Sequence, residues 1–253
     1  MTADTGFIQF QPIPKIPALY LPKRKMLVLA DLHIGIENEL REYGVHISSQ
    51  IQSMKQILID ICNSYEIKDI MILGDVKHTI PSTPFHEKRE LYRFLDELHT
   101  YGIIHIVPGN HDGGIRDLIP DHIRIHSSAG VIIKDIGFIH GHRWPRDDIM
   151  KAAFVIMGHT HPTIMLKDRL GFKTYEPCWL KCPIKKKELK EKYRDANDTV
   201  SVLVLPAFNP LCGGLAVNED GVMGPLSNIL DIQHADIFLL EGTNLGMVKA
   251  HQP

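Results

Sequence analysis

Residues Met26-Leu-Val-Leu-Ala-Asp-Leu-His33 set the reading of this chain. Five apolar residues run straight into an acid and an imidazole two positions apart. A short run that is apolar on both faces reads as a strand buried between layers. On an extended backbone Asp31 and His33 point to one side. Working outward, the same design recurs four times. Asp69-Ile-Met-Ile-Leu73 leads into Gly74-Asp75, and Ile103-Ile-His-Ile-Val107 leads into Pro108-Gly-Asn-His-Asp112. A hairpin over Val131 to Lys134 and Gly137 to His140 leads into His140-Gly-His142, and Phe154-Val-Ile-Met157 leads into Gly158-His-Thr-His161. Each of these strands delivers carboxylate, imidazole or amide groups at its carboxyl end, which is where open α/β sheets bind ligands.

Helices fit between the strands. Ser48-Ser49 followed by Ile51, Met54, Ile57, Leu58 and Ile61 predicts a capped amphipathic helix ending near Tyr65. Pro84 to His99, after Ser82-Thr83, carries Leu91, Phe94, Leu95 and Leu98 at helical spacing. Two further strands are expected over Val200 to Leu205 and Gly214 to Val217. The order β-α-β-α-β, then strands without long helices, predicts an α/β chain with a more antiparallel second half. Residues 1–253 read as a single domain, with a surface insertion expected at 167–198. That stretch holds Lys185-Lys-Lys-Glu-Leu-Lys-Glu-Lys-Tyr-Arg194, expected as a solvated loop or short surface helix, or alternatively a mobile basic flap.

Composition excludes several classes. The 253 residues are 44% hydrophobic, with 28 Lys+Arg against 30 Asp+Glu, so no basic field argues for non-specific nucleic-acid or membrane-surface binding. Four cysteines are too few for a disulfide scaffold. No apolar run approaches a membrane span, and Met1 to Pro12 lacks the pattern of a signal peptide. A cytoplasmic protein with no membrane partner is the expectation. Histidine is heavily used, at 15 residues. Mixed imidazole, carboxylate and carboxamide donors suit Mn, Fe, Zn or Co, and thiolate is absent from the five loops. Seven such groups exceed what one catalytic metal takes from a protein, so two metals sharing a carboxylate are expected.

The ordered set Asp31-x-His33, Gly74-Asp75, Gly109-Asn-His-Asp112, His140 and Gly158-His-x-His161 resembles the calcineurin-like metallophosphoesterase superfamily. Further stretches are similar to the small archaeal and bacterial phosphoesterases related to the SbcD nuclease, a group including PdeM-type enzymes. These are Ala18-Leu-Tyr-Leu21, Ala30-Asp-Leu-His-Ile-Gly-Ile-Glu37, Gly74-Asp-Val-Lys-His78 and Pro206-Ala-Phe-Asn-Pro-Leu211. The resemblance implies a four-layer α/β/β/α sandwich holding two divalent metals, Mn foremost, with Fe, Ni, Zn, Co or Mg as alternatives. It implies Asp31, His33 and His161 on one metal and Asn110, His140 and His159 on the other, with Asp75 bridging. His111 then faces the substrate as the catalytic histidine, and Asp112 is a candidate to orient it. His142, Arg143, His78 and Asn209 stand as candidate substrate contacts. The activity implied is phosphodiester hydrolysis by metal-activated hydroxide, on single-stranded nucleic acid or a nucleotide. A phosphomonoesterase, a cyclic-nucleotide phosphodiesterase and a non-catalytic scaffold remain open alternatives.

Overall fold

The structure is a computed structural model and describes residues 10–80 and 84–252. Its first sheet has six strands in sequence order: β1 (Gln11–Pro12), β2 (Leu19–Leu21), β3 (Met26–Leu29), β4 (Asp69–Ile72), β5 (Ile103–Ile106) and β6 (Arg124–Ile125). β3 to β6 run parallel, and β1 and β2 close one edge antiparallel. The second sheet contains β7 (Val131–Ile133), β8 (Ile136–Ile139), β9 (Phe154–Met157), β10 (Pro162–Lys167), β11 (Lys173–Cys182), β12 (Ser201–Val204) and β13 (Leu215–Ala216). Its order is β13-β10-β11-β12-β9-β8-β7, and β14 (Asp236–Leu239) and β15 (Asn244–Met247) branch from β11. The helices are α1 (Ile36–Glu42), α2 (Ile51–Ser64), α3 (Phe85–His99) and α4 (Lys186–Lys192).

Strand periodicity sorts the apolar side chains into layers. Along β3, Leu27 and Leu29 face α2 and α3, where Met54, Leu58, Leu91 and Phe94 cover them. Met26, Val28 and Ala30 face the other way, into a core shared with Phe138, Ile156, Trp179 and Leu203 of the second sheet. The outer face of that second sheet packs Val155, Met157, Val202 and Val204 under Leu189 of α4 and short 3-10 turns. These are the four expected α/β/β/α layers, with the last one thin. Uniformly apolar strands are the sequence signature of layers covered on both faces.

Two differences from the sequence reading have local causes. The expected surface insertion at 167–198 is corrected for its first half. β11 lies inside the second sheet, pairs with β10, β12 and β14, and buries Cys178, Trp179, Leu180 and Cys182. Lysines and Pro177 within the strand masked it, since proline is rare in central strands; Lys173 to Pro177 are exposed, and only the second half is sheet core. α4 does ride on the surface, with Leu189 as its anchor. The second difference is at α2. Gln50 is its N-cap, and the Gln50 N–H donates to the buried carboxylate of Glu37 at 2.5 Å, so the capping serines are not the main device. Ser82 and Thr83, and Met1 to Gln9, lie outside the described residues. No described helix is long and apolar enough to cross a membrane.

Candidate metal centre

The loops after β3, β4, β5, β8 and β9 meet at one end of the two facing sheets. They are tied to each other by backbone hydrogen bonds. Asp31 N–H donates to the Gly74 carbonyl (3.2 Å), His33 N–H to the Asp75 carbonyl (2.8 Å), and Gly158 N–H to the His140 carbonyl (3.0 Å). Close approach at Gly74 is obligatory: its φ is +75°, and a Cβ there would stand 2.4 Å from His140 Nδ1. Non-glycine strain concentrates at the same point. Of the eight described non-glycine residues with positive φ, five are Asp31, His33, Asp75, His159 and His161. Each left-handed residue costs on the order of 1 kcal/mol, and such outliers gather at functional sites.

The side chains form overlapping groups. Asp31, His33 and Asp75 bring ligand atoms within 4.8 Å of one another, and so do Asp75, His140 and His159. Asp75 belongs to both. His161 joins the first group, with Nε2 3.4 Å from Asp31 Oδ1. Asn110 joins the second, with Oδ1 3.1 Å from His140 Nε2. All seven expected ligands are therefore brought together. The outer nitrogens are fixed by the fold. His140 Nδ1–H donates to the Leu73 carbonyl (2.8 Å) and His161 Nδ1–H to the Gly213 carbonyl (3.0 Å), so each presents Nε2 inward.

Buried atoms here lack hydrogen-bond partners. Asp31 Oδ1, His33 Nε2 and His161 Nε2 are inaccessible and accept or donate no hydrogen bond. Buried polar atoms are normally satisfied, so three convergent lone-pair donors fit a cation. Electrostatics agree at His33 and His159. Burial depresses His33 to about 3, against the pull of Asp75 and Asp31, and burial together with neighbouring His140 takes His159 to about 4. Both are thus neutral at pH 7, the form that binds metal. Burial opposes charge on His140 as well, but contact with Asp75 and Asp31 outweighs it and raises the group to about 9. Asp75 is held well below the usual carboxylate range: burial works the other way, and His140 and the His111 N–H overcome it.

The remaining candidates divide. His111 lies at the centre, its ring 4.9 Å from that of His33. Its N–H donates to Asp75 Oδ1 (2.9 Å), and its Nδ1–H donates to the His78 carbonyl (2.6 Å). Asp112 does not orient it, which corrects the expectation. The Asp112 carboxylate is buried and accepts from the N–H groups of Val76 (2.9 Å), Lys77 (3.3 Å) and Gly109 (2.8 Å). It clamps the loop of Asp75 to the loop of Asn110. Asn209 is corrected likewise. It is buried, and its amide donates to the Leu32 carbonyl at 2.8 Å, so it buttresses the Asp31–His33 loop instead of facing a substrate. Arg143 is exposed and donates to Ser128 Oγ (2.7 Å). His142 stands beside the second group, 5.2 Å from the His140 ring, half-buried and held at about 4 by burial. His78 stacks on His111, contacts His33 Nδ1 at 3.1 Å and bonds Glu39 through Nε2.

Sequence reasoning missed Cys212. Its sulfur lies with ligand atoms of His33 and His161 within 4.8 Å of one another. Burial pushes its thiol pKa up, reinforced by Asp31 and Asp75. The turn-rich stretch Phe208 to Gly214 marked a loop reaching the metals, but nothing in the spacing singled out its cysteine. Beside it a cavity of about 270 Å³ opens from His161 and is walled by Ile16, Pro17, Phe208, Pro210 and Leu240.

No protein-family model and no curated protein matches the chain. Among solved structures, a nuclease MPE from Pseudomonas putida superposes with a TM-score of 0.60 at 20% identity, over 93% of this chain and 100% of that one. A single mutant of Vps29 from Entamoeba histolytica matches over 75% of this chain and 79% of its own, at 17% identity and a TM-score of 0.33. A predicted phosphoesterase from Streptococcus pneumoniae matches over 87% and 91%, at 9% identity and a TM-score of 0.31. The last two are too distant to bear on anything further. Four layers, the loop cluster at the strand ends and the near-complete overlap with the Pseudomonas protein together assign the chain the calcineurin-like metallophosphoesterase fold.

Proposed function

We propose that this chain is a phosphoesterase that uses two divalent cations to hydrolyse phosphodiesters, with single-stranded nucleic acid or a nucleotide as substrate. The observation that carries this reading is the sharing of Asp75 between two ligand groups, the first of which holds buried donors without hydrogen-bond partners. Asp31, His33, His161 and Asp75 would hold one cation, and Asn110, His140, His159 and Asp75 the other. Such a pair supplies Lewis acidity and lowers the pKa of water toward 7. Manganese is the first metal to try on these oxygen and imidazole donors.

The chain's own groups do the rest. Asp75 and the His111 N–H lock the two loops in register, so the donors are placed before any substrate arrives. With Nδ1–H committed to the His78 carbonyl, His111 presents Nε2, which in the doubly protonated ring would hand its proton to the leaving oxygen. His142 is a further candidate to meet a phosphate oxygen. The apolar cavity at His161 suits a base or other flat ester group better than a bare phosphate. All four cysteines are unpaired, which supports a cytoplasmic location.

The test is a panel run with Mn, Ni, Mg and Zn: bis-p-nitrophenyl phosphate, p-nitrophenyl phosphate, single-stranded DNA, RNA and cyclic nucleotides. Diester cleavage should exceed monoester cleavage and vanish with chelator. His111→Ala should lower turnover by about 10²–10⁴ while keeping its metal. A chain that binds two metals yet cleaves nothing in the panel refutes the proposal in favour of a scaffold. Preference for the monoester moves it to a phosphomonoesterase.

A further inference from the structure

We propose that Cys212 is an additional protein ligand of the first metal position, beside Asp31, His33 and His161, and that it biases this position toward a thiophilic divalent cation such as zinc, cobalt or ferrous iron. The inference rests on the dinuclear reading above and sharpens its choice of metal.

Three observations support it. The first is position: the Cys212 sulfur and ligand atoms of His33 and His161 lie within 4.8 Å of one another, close enough to share one cation. The second is the state of those neighbours. Asp31 is fully buried and His33 is 5% exposed, and Asp31 Oδ1, His33 Nε2 and His161 Nε2 all lack hydrogen-bond partners. The third concerns the bland alternative, that Cys212 merely packs as a small apolar residue. Cys62, Cys178 and Cys182 do belong to apolar clusters, whereas Cys212 belongs to none among the described residues. Its sulfur stands with the His33 and His161 imidazoles and 3.9 Å from the Asp31 carbonyl, at the rim of the cavity walled by Ile16, Phe208 and Leu240.

The loop that carries it is anchored on both sides to ligand residues. Phe208 N–H donates to the Ala30 carbonyl and Asn209 N–H to the Asp31 carbonyl. Leu215 N–H donates to the His161 carbonyl, and the Gly213 carbonyl orients the His161 ring. Cys212 N–H closes the turn onto the Asn209 carbonyl at 3.1 Å. The sulfur is therefore held by the same backbone contacts that hold its neighbours. Coordination exchanges the S–H bond for a sulfur–metal bond and releases the proton to solvent, with no oxidant or reductant needed. Soft thiolate favours zinc, cobalt and iron over manganese and magnesium. Two dications against Asp31, Asp75 and one thiolate leave one net positive charge, which a bound hydroxide would cancel.

The test is the absorption spectrum of the cobalt-loaded full chain. A thiolate-to-cobalt charge-transfer band in the near ultraviolet is expected, and Cys212→Ser should lose it while binding cobalt. The same variant should weaken zinc binding by roughly tenfold or more, with a smaller effect on manganese. Should the variant fold poorly, alkylation of the unaltered chain, mapped by peptide mass, replaces it: cobalt should protect Cys212 selectively. A chain that binds two cobalt ions without the band, or alkylates at Cys212 equally with and without cobalt, overturns the proposal and leaves the dinuclear reading intact. Failure to bind cobalt at all overturns both.

Discussion

Replacing Asp112 with alanine should damage stability first and chemistry only through it. The carboxylate is 3% exposed and receives three backbone N–H groups, from Val76, Lys77 and Gly109. Each buried donor left unpaired costs about 1–3 kcal/mol. Part of this is returned, because burial raises the Asp112 pKa, which marks a carboxylate kept at a desolvation cost. A raised acid contributes stability below its unfolded value of 3.8 and loses it as pH climbs, so at pH 7 the hydrogen bonds must outweigh that loss. The net expectation for Asp112→Ala is about 2–5 kcal/mol. In a chain of this length that lowers Tm by roughly 5–15 °C. Asp112→Asn should recover part of it, since its carbonyl oxygen still accepts while its NH2 opposes a donor. Urea unfolding followed by tryptophan fluorescence measures both. A loss under about 1 kcal/mol, with turnover falling as far as in a His111 variant, would show that Asp112 serves the His111 ring after all.

Four other expectations are open to measurement. Gly109→Ala would set a Cβ 2.2 Å from Asp75 Oδ1 and 2.6 Å from the Asp75 backbone nitrogen, so it should cost about 1–3 kcal/mol or more and reduce metal per chain by elemental analysis. Gly113→Ala meets nothing within 4 Å and should stay within about 0.5 kcal/mol. His126 is held at about 4 by burial and by His105, whose Nδ1 lies 2.9 Å from its Nε2. A histidine lowered on folding stabilises fully above its unfolded value of 6.5 and loses that contribution as pH falls to about 4. His126→Asn should therefore narrow the stability gap between neutral and mildly acidic pH in urea titrations, and an unchanged gap would refute the assignment. Finally, manganese at about 100 times its Kd should raise unfolding free energy by about 2.7 kcal/mol, reversibly with EDTA, and an unmoved Tm would show that the centre takes no manganese.

Much of this molecule is local information. The strands ending at Asp31, Asp75, Asn110, His140 and His159 were legible because each is an apolar run short enough to be a strand, and each stops at a turn residue or a polar donor. Helices α2 and α3 were legible from side chains at 3–4 spacing. The roles of Asp112 and Asn209 were not, because a polar residue in a loop looks alike whether it faces solvent, a substrate or a buried amide; only the three N–H groups around Asp112 decide. β11 was obscured for a related reason, since Pro177 and the flanking lysines speak locally for a surface and only pairing with β10, β12 and β14 buries its second half.

What the amino-acid order determined by itself is therefore the set of donors and the strands that carry them, because strand length, apolar periodicity and residue chemistry are properties of neighbours in sequence. What tertiary structure alone decided is which donors share a point in space. Cys212 is 51 positions beyond His161 and 179 beyond His33 in the numbering, and their meeting depends on how two sheets stack and where a returning loop lands. Such long-range contacts are fixed by packing and backbone hydrogen bonds, and no local pattern encodes them.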